Sequence, residues 1–408
     1  MEEHDGEGHR RSLSNIGPRT DEDEGGRRVR VAHVSDCYLP RTGGIELQVE
    51  GLAHAQLEAG DQPRVVTATQ AARTSTPEAD SPDSGRVPIL RLGLRLPYEL
   101  PVTHRVGKPL RQALVEDTDV VHVHAGLVSP FAWPALRTAV HAGLPVVVSV
   151  HSVLANWSRL FAAADALVGW RSWPVMWTAV SEVAARPLRR ALGGRAEVKV
   201  LSNGIDIPFW QSTAQERLAR QGRDENDVTI VAVGRLAVRK RSEALIDILE
   251  EARAHLPDSI RLRAVIVGDG PNRGALDKAI SRRDLDWVHC TGWQTHEQIR
   301  THYSDADIFL SPGRLESFGI AALEARTFGL PIVALNDSGV TEFVRDGHEG
   351  LLATDDRGLA GAIVSLASNP DLRTTMTHRN TTIEPEFGWP TIVSTTDDRY
   401  RDAMRLLR

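Results

Sequence analysis

Val228-Thr-Ile-Val-Ala-Val-Gly234 decides the fold, because it repeats a beginning already made two hundred residues earlier. It is a short apolar run closed by glycine, the pattern of a strand buried on both faces of a parallel sheet. Arg28-Val-Arg-Val-Ala-His-Val-Ser-Asp36 opens the structured chain in the same way. After that first run, a helix is expected over Ile45–Ala59, with apolar residues at Ile45, Val49, Leu52 and Leu57. Strands are expected at Pro63–Thr69, Val120–His124, Pro145–Val150 and Pro174–Val180, with a polar loop over 70–86. After the second run, a helix over Lys240–Ala254 precedes strands at Arg261–Gly268, Asp286–Thr291, Asp307–Ser311 and Pro331–Leu335. Strands alternating with helices mark a parallel sheet covered on both faces, and the restart makes two of them. Ligands of such sheets bind beyond the carboxyl ends of the strands, so the cleft between the halves is the expected site. The stretch NGIDIPFWQSTAQ, from Asn203, reads as the hinge, and a helix follows Pro390 with Tyr400, Met404 and Leu407 on one face. The division expected is a tail over 1–26, an N-terminal domain over 27–205, a C-terminal domain over 206–388 and a final helix over 389–408.

Composition narrows the class. With 408 residues, 41% of them hydrophobic, the chain can fill more than one core. Its two cysteines, Cys37 and Cys290, supply neither a disulfide framework nor a metal quartet. No apolar run approaches the ~20 residues that span a bilayer, and MEEHDGEGHRR lacks the order of a secretory signal. These features together suit a cytoplasmic protein. Of the net charge of −6, the polar head of residues 1–26 holds −5, from eight acids and three arginines. That head reads as a disordered tail. The near-neutral body argues against a nucleic-acid partner. Only Lys108, Lys199, Lys240 and Lys278 are lysines, so each invites inspection.

Four segments carry candidate chemistry. Gly43-Gly44 stands between a strand and a helix, where bare amides cradle phosphate or a turn simply needs glycine. Arg235 and Lys240 follow the strand at the cleft edge and open a helix; two cations there suit a diphosphate, and a solvated helix start suits them too. Gly268-Asp-Gly270 fails the dinucleotide fingerprint, because Arg273 stands at the third glycine position, so a tight turn is expected. Ser311-Pro-Gly-Arg-Leu-Glu316-Ser-Phe-Gly-Ile-Ala-Ala-Leu-Glu324 follows a strand. With a helix starting near Phe318, its first amides point into the cleft beside Glu316. Such a site accepts sugar hydroxyls on a carboxylate and phosphate on free N–H groups; a capped amphipathic helix carries the same residues.

The ordered set resembles a glycosyltransferase of family 4. Its landmarks are Gly43-Gly44, Asp119-Val-Val-His-Val-His124, His151, Ser202-Asn-Gly-Ile-Asp206, Gly234-Arg235 with Lys240, Gly268-Asp-Gly270 and the pair Glu316 and Glu324. The resemblance runs from about Arg28 to Arg408. It implies the GT-B architecture: two Rossmann-like, doubly wound α/β domains facing across a cleft, with the C-terminal helix packing back on the N-terminal domain. It also implies that Glu316 holds donor-sugar hydroxyls, near the amides of Phe318, Gly319 and Ile320. Glu324 would hold the ribose, Arg235 and Lys240 the diphosphate, and the Gly43-Gly44 loop would close against it. His124 would touch the donor sugar, where a structural hydrogen bond is the plainer reading, and His151 is an acceptor-side candidate. Two positions depart from the family pattern: Arg241 stands where glycine often follows the lysine, and Ser338-Gly339-Val-Thr-Glu342 replaces a Gly-Gly-x-x-Glu turn.

The activity implied is transfer of a hexose from a UDP- or GDP-linked sugar to an acceptor hydroxyl, with retention. No cofactor and no metal is expected, the nucleotide sugar being a co-substrate. Cations and helix amides stabilise the departing diphosphate. A nucleotide-sugar epimerase of the same shape and a non-catalytic nucleotide-sugar-binding relative are the alternatives. The acceptor is open among small molecules, polysaccharides and lipid-linked sugars. The basic stretch Arg86–Arg111 suggests at most peripheral contact with a membrane, its prolines favouring a cleft-lining loop.

Overall fold

The computed structural model describes residues 28–41, 43–71, 86–93, 107–126, 128–154, 169–194, 196–213, 215–216, 224–237 and 240–408. The acidic head, most of the 70–86 loop and residues 94–106 of the basic stretch lie outside them. The first half contains strands β1 (Arg30–Ser35), β2 (Gln62–Thr67), β3 (Ile89–Arg91), β4 (Val120–Ala125), β5 (Val146–Val150), β6 (Val175–Ala179) and β7 (Val198–Val200). Between them run helices α1 (Gly44–Glu58), α2 (Lys108–Val115), α3 (Ala132–His141) and α4 (Glu182–Leu192). After the short helix α5 (Ile207–Trp210) the second half begins. Its strands are β8 (Asp227–Val233), β9 (Arg261–Val267), β10 (Val288–Gly292), β11 (Ile308–Ser311), β12 (Ile332–Leu335) and β13 (Gly350–Ala353). Its helices are α6 (Ser242–Ala254), α7 (Arg273–Arg282), α8 (His296–Asp305), α9 (Ile320–Phe328), α10 (Asp356–Ala367) and α11 (Pro370–Thr382), and α12 (Trp389–Arg405) closes the chain.

Both sheets are wound alike. The first runs β3-β2-β1-β4-β5-β6-β7 and the second β10-β9-β8-β11-β12-β13, with every pairing parallel. In each the order reverses beside the first strand, between β1 and β4 and between β8 and β11. Those are the two switch points where a crevice opens. The reason for the alternation is ordinary: runs such as Val120–Val123 and Val146–Val148 are wholly buried, which only a strand covered on both faces requires.

The last helix does not stay with the second half. Tyr400 and Ala403 of α12 pack on Val31, Val120, Val147 and Met176 of the first sheet. Ile392 and Val393 pack on Leu52 and Ala55 of α1. Trp389, at its start, fills a slot floored by Gly51 and Gly204, where a Cβ on either glycine would collide with the indole. The chain thus passes between the halves twice, side by side. Ile205 pairs with Gly388, and its amide donates to the Phe387 carbonyl at 3.0 Å.

Candidate active site

The carboxyl ends of the two sheets meet. Ser181, just past β6, donates from Oγ to the Ser317 carbonyl at 2.5 Å, beyond β11. The Glu182 amide at the start of α4 donates to Glu342 Oε1 at 2.6 Å. A Cβ on Gly44 would meet Ile320 Cδ1 at 3.7 Å, so the glycine loop of one half faces the first turn of α9 in the other.

On the second half's wall, Arg235 leaves the end of β8 with its side chain exposed. Its loop is braced from behind. Gly234 and Leu236 donate to the carbonyls of Val267 and Asp269. A Cβ on Gly268 or Gly270 would strike the backbone of Gly234 or Leu236. The Gly-Asp-Gly turn therefore supports the loop that carries Arg235 and contains no nucleotide fingerprint. Lys240 donates from Nζ to Glu316 Oε2, so two residues of separate segments form an ion pair. Arg241 has φ 57° and ψ 39°, the left-handed conformation that glycine adopts freely. A non-glycine residue there costs about 1–2 kcal/mol. Bonds from its guanidinium to the Pro312 carbonyl at 3.0 Å and Asp356 Oδ2 at 2.6 Å offset that cost. The expected helix start at Lys240 is corrected accordingly: α6 begins at Ser242, after this turn.

A similar correction applies to α9, which begins at Ile320 and not near Phe318. Gly319 caps it with φ 96°, and the Phe318 ring is fully buried against Phe343 and Phe387. Phe318 can offer only its backbone to a ligand. Ser338 is extended, with φ −118°, so this position has no need of the family's glycine. Gly339 has that need, since a Cβ there would collide with the Ser317 carbonyl. Its amide holds the Glu316 carbonyl at 2.8 Å. Glu324, one face further along α9, is buried, and burial pushes its carboxyl up to about 8.

On the first half's wall, alternate positions of β1, β4 and β5 form a polar layer at the switch point. His33, His122, His124, Ser149 and His151 are all buried. His33 Nδ1 lies 3.0 Å from His124 Nε2, and His124 Nδ1 lies 3.1 Å from His151 Nε2. Both nitrogens of His124 are thus engaged within the protein, the structural bond that the sequence also allowed. Burial lowers all four imidazoles below their usual range, His33 and His151 to about 4. Ring nitrogens of His33, His122 and His124 lie within 4.8 Å of one another, close enough to suggest a metal. Each of those nitrogens already has a hydrogen-bond partner, so neutral hydrogen bonding accounts for the cluster.

Sequence reasoning missed two groups beside this wall. Glu46 is buried in the first turn of α1, with its carboxylate folded over Gly43. Burial raises its pKa, against the opposing charges of Arg41 and Arg235. Arg41 Nε lies 3.7 Å from it. An acid two residues after a double glycine, at a helix start, was the available signal. His33 was the other, matching His122 in parity within an apolar strand.

Two like-wound sheets, joined by a returning terminal helix and facing each other with cations and carboxylates on one wall, define the GT-B architecture. Residues 42–208 match the family model Glycosyltransferase Family 4, and residues 214–382 match Glycosyl transferases group 1. Over 403 residues the chain is 28% identical to the GDP-mannose:cellobiosyl-diphosphopolyprenol alpha-mannosyltransferase of Xanthomonas oryzae pv. oryzae, covering 93% of this chain and 98% of that one. It is 30% identical to the glycogen synthase of Mycobacterium tuberculosis, over 78% of this chain and 74% of that one. Among solved structures, Anabaena HepE in complex with UDP superposes with a TM-score of 0.70 at 21% identity, over 91% of this chain and 99% of that one. The chain belongs to glycosyltransferase family 4, a family of enzymes that use nucleotide sugars. No helix among the described residues is long and apolar enough to cross a membrane.

Proposed function

We propose that this glycosyltransferase moves a hexose from a UDP- or GDP-linked sugar to an acceptor hydroxyl with retention of anomeric configuration. The observation that carries the reading is the Lys240–Glu316 pair at the β8/β11 switch point, in the half whose α9 start meets Gly44 of the glycine loop. A lone salt bridge at a cleft mouth contributes little to stability. As a donor site it makes sense: the diphosphate takes Lys240 and Arg235, and the released Glu316 carboxylate takes sugar hydroxyls. The first amides of α9 add partial positive charge beside the same place. Glu324 takes the ribose hydroxyls. Charge builds on the departing diphosphate as the glycosidic bond breaks, and these fixed cations and amides stabilise it. His124 and His151 are neutral and so are no leaving-group cations; on the first half's floor His124 lies on the donor-sugar side and His151 on the side where the acceptor enters. With neutral imidazoles as the groups of that floor, front-face attack with the leaving phosphate taking the acceptor's proton is the route that retains configuration. The donor's base finds a parallel in the relative named for GDP-mannose and in the neighbour solved with UDP.

Calorimetry with UDP, GDP and their sugars, followed by an acceptor screen with NMR of the product's anomeric proton, tests this. Binding and an α product from an α donor are expected. A β product refutes retention, acceptorless sugar conversion indicates an epimerase, and binding without turnover indicates a sensor.

A further inference from the structure

A chain of hydrogen bonds runs beneath the cleft floor, and its direction follows from its far end. Thr178 donates its hydroxyl proton to the Val148 carbonyl at 3.0 Å, so its oxygen can only accept. Ser149, 2.8 Å away, must donate to that oxygen. The Ser149 oxygen then accepts from Nε2–H of His122 at 2.8 Å, which leaves His122 Nδ1 bare. That nitrogen accepts the Tyr400 phenol proton at 3.0 Å. The phenol oxygen accepts from the Gln56 amide nitrogen at 3.0 Å, turning the Gln56 amide oxygen towards His33 Nε2–H at 2.6 Å. His33 is left to accept at Nδ1 from His124 Nε2–H, and His124 to accept at Nδ1 from His151 Nε2–H. Each group gives one hydrogen bond forward and takes one from behind. The chain opens at His151, whose Nδ1 has no hydrogen-bond partner among the described residues.

We propose that Gln56 of α1 and Tyr400 of α12 are positioning residues of the transfer reaction. By fixing the direction of this chain they hold His124 and His151 as Nε2–H tautomers, so that His151 turns a bare Nδ1 to the acceptor hydroxyl. The proposal rests on His151 lining the acceptor side of the cleft. Reversal would require the Gln56 amide to turn over and Thr178 to abandon Val148. His151 would then present Nδ1–H, a donor, which cannot accept the hydrogen bond that positions an incoming hydroxyl before its proton passes to the leaving phosphate. Burial favours the neutral state of all four imidazoles, which a one-way chain needs. In Tyr400→Phe nothing orients the Gln56 amide, and the reversed direction becomes open from Gln56 outward.

Nitrogen NMR of the full chain carrying isotope-labelled histidine reads the tautomers directly. Wild type should show His33, His122, His124 and His151 neutral and protonated at Nε2, and Tyr400→Phe should bring Nδ1–H signals to His124 and His151. The second readout is slow hydrolysis of UDP-glucose and GDP-mannose, with water standing in for the acceptor hydroxyl. Its kcat should fall on the order of tenfold in Tyr400→Phe and in Gln56→Leu, the loss of one well-placed hydrogen bond, while the Kd for UDP and GDP is unchanged. A charged or Nδ1–H imidazole at His124 or His151 in wild type overturns the proposal. So does unaltered hydrolysis in variants whose tautomers have changed. If Tyr400→Phe does not fold, the wild-type spectrum and Gln56→Leu decide. Wild type that binds neither nucleotide refutes the donor reading, and the positioning role falls with it. Normal binding with a wrong tautomer refutes the chain alone.

Discussion

Burial holds the Glu324 carboxyl at about 8, far above an ordinary glutamate. The unfolded chain therefore ionises this group near its usual value while the folded chain keeps the proton. Between those two values the folded state binds more protons, so this contribution to stability is full below about 4.5 and is lost as pH rises through about 8. Melting curves from pH 5 to 8 should show a steeper decline in wild type than in Glu324→Gln, which cannot ionise; parallel curves would refute the shift. If Glu324 takes the ribose hydroxyls as proposed, those donors favour the carboxylate, so nucleotide binding at pH 7 should release a proton, seen by calorimetry in buffers of different ionisation enthalpy. Kinetics separate the two glutamates. On the proposed reading Glu324 would meet a part of the donor that does not change during reaction, so Glu324→Gln should mainly raise KM. On the same reading Glu316 would meet the sugar that acquires charge, so Glu316→Gln should mainly lower kcat. Lys240→Ala removes a charge-assisted contact of about 1.5–3 kcal/mol and should weaken nucleoside diphosphate binding accordingly; unchanged affinity would show that the pair with Glu316 is merely structural. Sequence placed Lys240, Glu316 and Glu324 in the second half by their positions after strands. It did not foresee that Lys240 and Glu316 pair with each other, because a separation of 76 residues carries no pairing information.

The interior strands were legible because each is an apolar run that only a doubly covered sheet can use. β3, β7 and β13 went unread: β3 and β7 have three residues each, too few to show a period, and β13 has only Leu351 and Leu352 between Gly350 and Ala353, so their pairing comes from the neighbouring strand. Helix starts slipped for a local reason. Arg241 and Gly319 both sit in the left-handed region immediately before α6 and α9, and that turn delays each helix. Apolar spacing says nothing of backbone handedness at a residue that is not glycine. This gives the loop before α6 a test of its own. Arg241→Ala keeps the strained conformation and loses both anchors, to Pro312 and Asp356. Arg241→Gly loses the anchors but removes the strain. Chemical denaturation should rank wild type first, and Arg241→Gly above Arg241→Ala by about 1 kcal/mol. Equal stability of the two variants would mean that the left-handed turn relaxes when the guanidinium is gone.

At the scale of the whole molecule, two halves were readable from one repeated beginning, but the way they are tied was not. The expected hinge near Asn203–Trp210 is only one of two strands of connection. Ile205 lies paired with Gly388, and Gln48 of α1 grips Gly204 on both its amide, at 2.9 Å, and its carbonyl, at 2.8 Å. A double crossing held at its middle permits rotation about one axis and resists sliding, which suits closure of the cleft. Away from that axis, the Ser181–Ser317 and Glu182–Glu342 bonds bridge the halves at the loop that carries Glu316. The residues proposed to bind the donor stand on both sides: the Gly43-Gly44 loop on one, Arg235, Lys240 and Glu316 on the other. A bound diphosphate that touches both sides must favour the closed form by its extra contacts there. Small-angle scattering should therefore give a smaller radius of gyration with saturating UDP- or GDP-sugar than without. Glu342→Ala removes the acceptor of the Glu182 amide and should enlarge the unliganded form, while the liganded form, held by the donor, stays compact. Identical scattering with and without a donor shown to bind would mean that the cleft is rigid, and that the bridges at Ser181 and Glu182 are permanent rather than part of its closing.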